Sequence, residues 1–367
     1  MSEGYRKYLR NIISRMAHHP DVSALLVALP KTIDISEWRK EFPSVYWISI
    51  KSNLFSFFSL DPESKKKIVM FSPSVVFTPT SRFLRIKGIP SVTMVRNMEP
   101  LIWNGENPLF EKIINLLREK IAYNSSMKAT RIIAVSHFVR EFIEKKWKID
   151  PEKIAVAYHG IGLPENENDH CPNSIPPSWE GEFLFTAGSI RPARGLEDVI
   201  HTLTYLPEIS HVRGLAIAGE APSHMKAYKK KLRLLIEKNN LSSRVCWTGK
   251  LDDAEMRWCY QHCKIFVMTS RVEACPNIAL EAMANGSIII STKNPPMPEF
   301  FADTAIYYPE GDAKVLAEKI QNIFDWDKAT LNEMSKNAKN RIIELSWDAC
   351  VEKTLAELKK AAEISRV

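Results

Sequence analysis

Glycine is scarce in this chain of 367 residues: there are 13, too few for a glycine-rich fibre or a low-complexity polymer. No apolar run approaches the roughly 20 residues that cross a bilayer as a helix. The strongest, residues 287–291 around Ile288, Ile289 and Ile290, is the size of a strand. Residues 1–7 have no apolar stretch behind them and no small-residue cleavage site, so a secretory leader is not expected. Cysteine is sparse too. Cys171, Cys246, Cys259, Cys263, Cys275 and Cys350 are scattered through a large chain, which suits buried thiols in a reducing cytoplasm better than a disulfide framework. Cys259, His262 and Cys263 supply at most three metal ligands with no second pair nearby, so they read as part of a helix and no metal site is expected.

What is present is ordinary globular material. Hydrophobic residues make up 45% and charged residues 25%, a composition that argues against disorder. At about 150 residues per domain, the length predicts two domains. The net charge of +7 is unevenly placed. Residues 1–160 carry 25 Lys and Arg against 15 Asp and Glu, a surplus of +10, whereas residues 161–367 carry 25 against 28, a balance of −3. A basic first half suits phosphates, nucleic acid or an anionic membrane surface. No zinc-finger or RNA-recognition signature accompanies the charge, so nucleic acid is not an expected partner. The lysine runs 65–67 and 229–231 read as solvated faces. The aromatic stretch 53–60, next to Lys51 and 65–67, suits either a membrane contact or a core-facing segment.

Short apolar runs alternate with amphipathic stretches along most of the chain. In the first half, residues 22–29, 45–50, 68–71, 91–95, 131–135 and 154–158 read as strands, with helical periodicity over 5–17, 108–124 and 137–146. In the second half, 183–187, 213–218, 245–248, 264–268 and 287–291 read as buried parallel strands, and 196–205, 223–239, 253–263 and 277–285 as crossover helices. The alternation predicts an α/β chain of two Rossmann-like, doubly wound domains. Residues 162–177, polar and rich in Pro and Asn, read as a linker. The expected domains are 1–165 and 166–345, with a helix over 346–367 packing back on the first. A doubly wound domain normally opens with a strand, but this chain opens with an amphipathic helix at Tyr5. Either the first strand is absent, or the start as given omits it, or another segment takes its place.

The sharpest local pattern is Glu273 and Glu281, separated by seven residues, following a strand and spanning the start of a helix near Pro276. Amides at such a helix start can meet an anion such as a diphosphate. Paired carboxylates can accept hydrogen bonds from vicinal sugar hydroxyls. Taken alone, such a pair is more often a loop residue and a helix-surface residue. Arg191 and Arg194, three apart on a turn after a strand, could grip a diphosphate bidentately, or form a solvated pair.

The wider setting is more specific. Ser270, Glu273, Leu280, Glu281, Ala282, Met283, Ala284 and Gly286 together resemble the signature of the retaining glycosyltransferases of family 4, also called group 1, which have the GT-B fold. Gly188, Arg191, Arg194 and Gly195 resemble that family's Gly-x-x-Arg-x-x-Lys-Gly turn, with Arg194 where lysine is commoner. Gly219 and Glu220, the run Thr248, Gly249 and Lys250, and Pro298 with Glu299 are further matches in the same order. In the first half, 133–138, 151–154 and 158–161 resemble the family's segment leading into the hinge. The resemblance is dense from about 129 to 310 and weaker before Ile68.

By this resemblance the chain is expected to transfer a sugar from a UDP- or GDP-linked donor, with retention, without a metal and without a separate cofactor. The acceptor would be a glycan, a lipid-linked molecule or a small molecule, in the assembly of polysaccharide or glycolipid. Arg191, Arg194 and Glu273 would carry the chemistry. Gly188, Gly219, Lys250, Pro276, Asn277, Ile278 and Glu281 would bind the donor, with Glu281 on the ribose. Many relatives have glycine where this chain has Cys275, Pro276 and Asn277. Arg96 and Asn97 follow a predicted strand where many relatives carry a histidine-containing loop, and are the acceptor-side candidates. The expected location is cytoplasmic, peripheral at the inner membrane face through the basic first domain. The rival readings are a catalytically silent binding or scaffold protein of the same fold and another GT-B enzyme such as a sugar-nucleotide epimerase.

Overall fold

The computed structural model describes residues 3–50, 60–102, 107–162, 169–206 and 211–364. The aromatic stretch 53–60, apart from Leu60, lies outside the described residues, as does 163–168 of the linker. The chain divides into two compact units. One comprises Met1–Leu101, Ile114–Gly160 and Leu345–Val367, and the other Ile102–Ile113 and Ile161–Glu344.

The first unit contains β1 (Leu26–Pro30), β2 (Tyr46–Ile50), β3 (Val76–Thr78), β4 (Ser91–Val95), β5 (Arg131–Ala134) and β6 (Ile154–Val156). They fall into two separate sheets, β1-β2 and β3-β4-β5-β6, and every pairing is parallel. β4 is wholly buried, because a parallel strand covered by helices on both faces has no solvent side. The helix Glu3–Ala17 buries Tyr8, Leu9, Ile12, Ile13 and Met16, the three- and four-residue spacing of one helical face. Alongside it, the helix Trp347–Ile364 is tied down by Arg15 to Asp348 at 2.6 Å, Lys359 to Asp21 at 2.5 Å, and Arg131 to Glu357. Its start packs against the loop after β6: a Cβ on Gly160 would lie 2.3 Å from the Trp347 backbone, so only glycine fits there.

Residues 68–71, expected as a strand, are instead the end of the helix Pro62–Phe71. Asp61 caps that helix by accepting from the Ser64 amide at 3.1 Å, and Pro62 stands at its first turn. Ile68 is buried while Val69 and Met70 are 50% and 75% exposed. That alternation belongs to a helix face rather than to a buried strand. The strand itself follows as β3.

The second unit contains β7 (Phe183–Ala187), β8 (Gly214–Ala218), β9 (Val245–Gly249), β10 (Ile265–Met268), β11 (Ile289–Thr292) and β12 (Ala305–Tyr308). They form one parallel sheet in the order β12-β11-β10-β7-β8-β9. The chain therefore enters at the middle of the sheet, winds outward to one edge, returns, and winds to the other, a doubly wound Rossmann-like order. β7, β8 and β10 are buried at every position. Leu184, Val199, Ile200, Leu203, Leu215 and Ile217 stand in the core between sheet and helices, each contributing roughly 1.5–3 kcal/mol by its removal from water.

Candidate functional site

In a doubly wound sheet, ligands meet the carboxyl ends of the strands where the winding reverses. In the second unit that point lies between β7 and β10. The turn after β7 carries Gly188, Arg191 and Arg194; the loop after β10 carries Ser270 and Glu273 and leads through Pro276 into the helix Asn277–Ala284. The fold brings these two stretches together although 79 positions separate Arg194 from Glu273.

Arg194 donates through Nη1 to Glu273 Oε1, and to Ser270 Oγ at 3.1 Å; Ser270 Oγ in turn donates to Glu273 at 3.1 Å. Thr269 Oγ1 donates to the Arg194 carbonyl at 2.6 Å and the Arg271 amide to the Ala193 carbonyl at 2.8 Å, so the two loops are laced by backbone as well as by side chains. Gly188 has φ +128°, and a Cβ there would lie 3.1 Å from Ile278 Cδ1 and 3.2 Å from Arg194 Nε. Gly188, Arg194, Glu273 and Ile278 thus line one spot. Gly219, at the end of β8, packs so closely that its Cβ would fall 2.0 Å from the Gly188 carbonyl oxygen. Both glycine amides are engaged, Gly188 donating to the Ala218 carbonyl at 3.0 Å and Gly219 to the Gly249 carbonyl at 2.7 Å, so what Gly188 supplies at the sheet's carboxyl edge is backbone without a side chain.

The other expected donor residues are arranged around this spot. Arg191 donates from Nε to Ser189 Oγ at 3.2 Å, and its carbonyl accepts the Arg194 amide at 2.9 Å. Pro276 is the N-cap of the helix Asn277–Ala284, which has no side-chain cap hydrogen bond. Asn277 Oδ1 accepts from Cys275 Sγ at 2.9 Å. Glu281, inside the helix, accepts from the Tyr260 hydroxyl at 3.4 Å. Burial, and then the Glu281 charge, hold that hydroxyl well above its ordinary range, so it stays a donor. Lys250 is exposed at the end of β9, two strands from β7 in the sheet order.

Arg96 and Asn97 belong to the first unit, at the carboxyl end of β4. The Arg96 guanidinium carbon lies 4.8 Å and 4.7 Å from the ring centres of Tyr5 and Tyr8, within cation–π range. Asn97 Oδ1 accepts the Glu99 amide at 3.1 Å in a local turn.

Sequence reading missed the support beneath the site. Arg271 donates to both Asp198 oxygens at 2.7 Å, and Asp198 also accepts from the Tyr308 hydroxyl at 3.0 Å and the Gly311 amide at 2.9 Å. Burial alone would lower the Arg271 pKa, but these bonds and the Asp198 charge outweigh it and raise it. The network ties the loop after β10 to the helix Leu196–Tyr205 and to the end of β12. Asp198 between apolar Leu196 and Val199 was the available signal, but its partners stand 73 and 110 positions away. Among the described residues, no group of three or more His, Cys, Asp or Glu is placed to hold a metal ion, and no helix is long and apolar enough to cross a membrane.

Two family models cover most of the chain: one described as Glycosyltransferase Family 4 matches residues 4–163, and one described as Glycosyl transferases group 1 matches residues 173–341. The uncharacterized glycosyltransferase YqgM of Bacillus subtilis is 26% identical over 179 residues, 49% of this chain and 45% of that protein. A serotype-specific mannosyltransferase of Escherichia coli, WbdA, is 27% identical over 170 residues, 45% of this chain and 20% of that protein. The matches therefore span less than half the length of these two curated relatives. Among solved structures, a glycosyltransferase from Rickettsia africae has a TM-score of 0.72 at 16% identity, covering 97% of this chain and 94% of that one. Anabaena HepE in complex with UDP-glucose has a TM-score of 0.71 at 16% identity, covering 98% and 97%. At that identity the likeness shows a shared fold, the two-domain GT-B architecture.

Proposed function

This chain belongs to the glycosyltransferases of family 4 and group 1, and on that premise we propose that it moves a sugar, with retention, from a UDP- or GDP-linked donor to a glycan or lipid-linked acceptor. The observation that carries the reading is the cluster of Arg194, Ser270 and Glu273 beside the bare backbone of Gly188, at the point where the second sheet reverses its winding. The Arg194 guanidinium is held in place by Ser270 and Glu273, and its remaining donors, with those of Arg191, suit a diphosphate. Glu273 suits the hydroxyls of the donor sugar, and Glu281 the ribose. Pro276, Asn277 and Ile278 bring helix-start backbone toward the same place.

In the proposed reaction the bond from the anomeric carbon to the diphosphate oxygen breaks and a bond to the acceptor oxygen forms on the same face. The acceptor's proton passes to the departing phosphate oxygen. Arg191 and Arg194 would meet the negative charge that develops there, and positioning supplies the rest of the acceleration. HepE was solved with UDP and with UDP-glucose, which makes UDP the first nucleotide to try. Thermal shift with UDP, GDP and their sugars tests the donor: one nucleotide should stabilise the chain, by about 2.7 kcal/mol at a hundredfold excess over its Kd. Transfer should survive EDTA. Binding of a nucleotide sugar with no transfer or hydrolysis under any acceptor would support the silent scaffold instead.

The acceptor side draws on the first unit's surplus charge and on the outward face of the helix Leu109–Lys128. There Leu116 and Leu117 are 54% and 59% exposed, with Tyr123 and Met127 on the same side, while Asn115, Ser125 and Ser126 are turned inward and buried. An apolar face turned outward, with Lys120 and Lys128 beside it, suits shallow seating in an anionic lipid surface. Flotation with anionic vesicles at low salt should carry the chain upward, and Leu116→Glu with Leu117→Glu should abolish it. A parent chain that stays at the bottom ends this part of the proposal.

A further inference from the structure

In the second unit the helix Asp253–His262 carries a tyrosine that reaches Glu281 on the helix Asn277–Ala284. Tyr260 is 2% exposed. Its ring stands edge-on to Phe185 of β7, at 5.6 Å between centres, and to Phe266 of β10, at 5.7 Å. These are the two strands between which the sheet reverses its winding. The ring is therefore anchored to the strands whose carboxyl ends carry the site.

The two helices are also tied to each other. Ser287 Oγ donates to the Tyr260 carbonyl at 2.6 Å, and Gln261 Nε2 to Asn285 Oδ1 at 3.4 Å. Asn285 in turn donates to the Glu281 carbonyl, from its amide at 3.1 Å and from Nδ2 at 2.9 Å. These bonds surround one side-chain contact, from the Tyr260 hydroxyl to Glu281 Oε2 at 3.4 Å.

Packing alone calls for no hydroxyl here. Phenylalanine would make the same ring contacts without burying a polar atom, and a buried hydroxyl is unfavourable unless it is bonded. Among the described residues, the partner of this hydroxyl is Glu281. A carboxylate only accepts, so the tyrosine donates and takes up one lone pair of Oε2. That restricts a long side chain that otherwise samples several rotamers. The contact is longer than an ordinary O–H···O bond of about 2.7–2.8 Å, and it is the part of the arrangement that a bound diol can tighten.

We propose that Tyr260 is the positioning residue for Glu281, holding its carboxylate ready for the ribose 2′- and 3′-hydroxyls, and that it thereby sets how strongly the chain prefers ribonucleotides to their dideoxy counterparts. The inference rests on the donor reading above, in which Glu281 serves the ribose. Tyr260 acts through Glu281 and does not itself touch the nucleotide. Without the hydroxyl the carboxylate keeps its charge but samples more rotamers. The diol then loses a preorganised partner, whereas the diphosphate does not.

The test is calorimetric titration with UDP, GDP and the 2′,3′-dideoxy form of whichever binds more tightly. The parent should prefer the ribonucleotide by about 100-fold, on the scale of hydrogen bonds to a charged group. Tyr260→Phe should weaken the ribonucleotide about tenfold and leave the dideoxy nucleotide within about twofold, which also shows that the variant is folded. Glu281→Ala should remove the preference, and Tyr260→Phe added to it should change neither affinity further. The proposal fails if Tyr260→Phe keeps the parent's preference, as it would by weakening both nucleotides equally. It fails too if the substitution costs as much beside Glu281→Ala as in the parent. A parent that binds the ribonucleotide and the dideoxy nucleotide equally overturns the role of Glu281, and this proposal with it, while the donor site stands. A parent that binds neither UDP nor GDP overturns the donor reading itself and the proposal together.

Discussion

In the second unit β7 lies at the centre of the sheet, with β8 hydrogen-bonded along one edge and β10 along the other. In the first unit β1 and β3 stand in separate sheets and remain half-buried. Each unit has six described strands, held in one sheet in the second unit and divided into sheets of two and four in the first. That difference reaches the site as well as the stability of each sheet. Where the sheet is continuous, the loops after neighbouring strands are held at fixed spacing, so Arg194 and Glu273 meet although they are far apart in sequence. In the first unit the Arg96 guanidinium lies over the rings of Tyr5 and Tyr8, on the helix Glu3–Ala17.

The sharpest way to break this contrast is to cut the core of each sheet. Phe185→Ala, in the fully buried β7, should cost about 3–5 kcal/mol in urea unfolding, and Phe77→Ala, in the half-buried β3, about 1 kcal/mol. Equal costs would mean that the first sheet is as well packed as the second. Next in size, Arg194→Ala should lower the transfer rate about 10²–10³-fold with little loss of melting temperature, whereas Arg96→Ala should cost about tenfold. Comparable losses at the two arginines would shift the chemistry away from the second unit.

Ion pairs offer a third comparison. Asp198→Asn removes the charge facing Arg271 inside the second unit and should destabilise it by about 3 kcal/mol in denaturant unfolding. Asp348→Asn, at the largely exposed pair with Arg15 in the first unit, should change stability by less than about 1 kcal/mol.

The smallest expected effect is on alkaline stability. Burial pushes the thiol of Cys263 up to about 12 and that of Cys350 up to about 11. An unfolded thiol titrates near 8.5. The folded forms hold their protons longer, so stability is complete below about pH 8.5 and declines as pH rises. The window closes near 11 for Cys350 in the first unit and near 12 for Cys263 in the second. Cys350→Ala and Cys263→Ala should each flatten the pH dependence of denaturant midpoints above pH 9.

Much of the second unit was readable because local signals agree with the fold. The runs at 183–187 and 264–268 overlap β7 and β10 nearly residue for residue, since a buried parallel strand is a short continuous apolar run. The first unit was harder. The run at 68–71 has the composition of a strand, but the Asp61 cap and Pro62 commit the preceding residues to a helix that carries it along. β3, three residues long and only half-buried, leaves too little pattern to detect. Glu273 and Arg194 were named from their motifs; Asp198 was not, because a buried carboxylate is recognised by its partners and these come from distant segments.

The order of apolar runs and helices determined the fold class, and the spacing of Gly188, Arg191, Arg194, Glu273 and Glu281 determined where the chemistry was to be sought. Both are encoded locally, in periodicity and in turn residues. Tertiary structure alone decided that Ser270 and Glu273 grip Arg194 and that Asp198 anchors Arg271. It also decided that the strands of the first unit divide into the sheets β1-β2 and β3-β4-β5-β6. Those depend on which strands become neighbours, and neighbours in a doubly wound sheet are chosen by the crossovers rather than by distance along the chain.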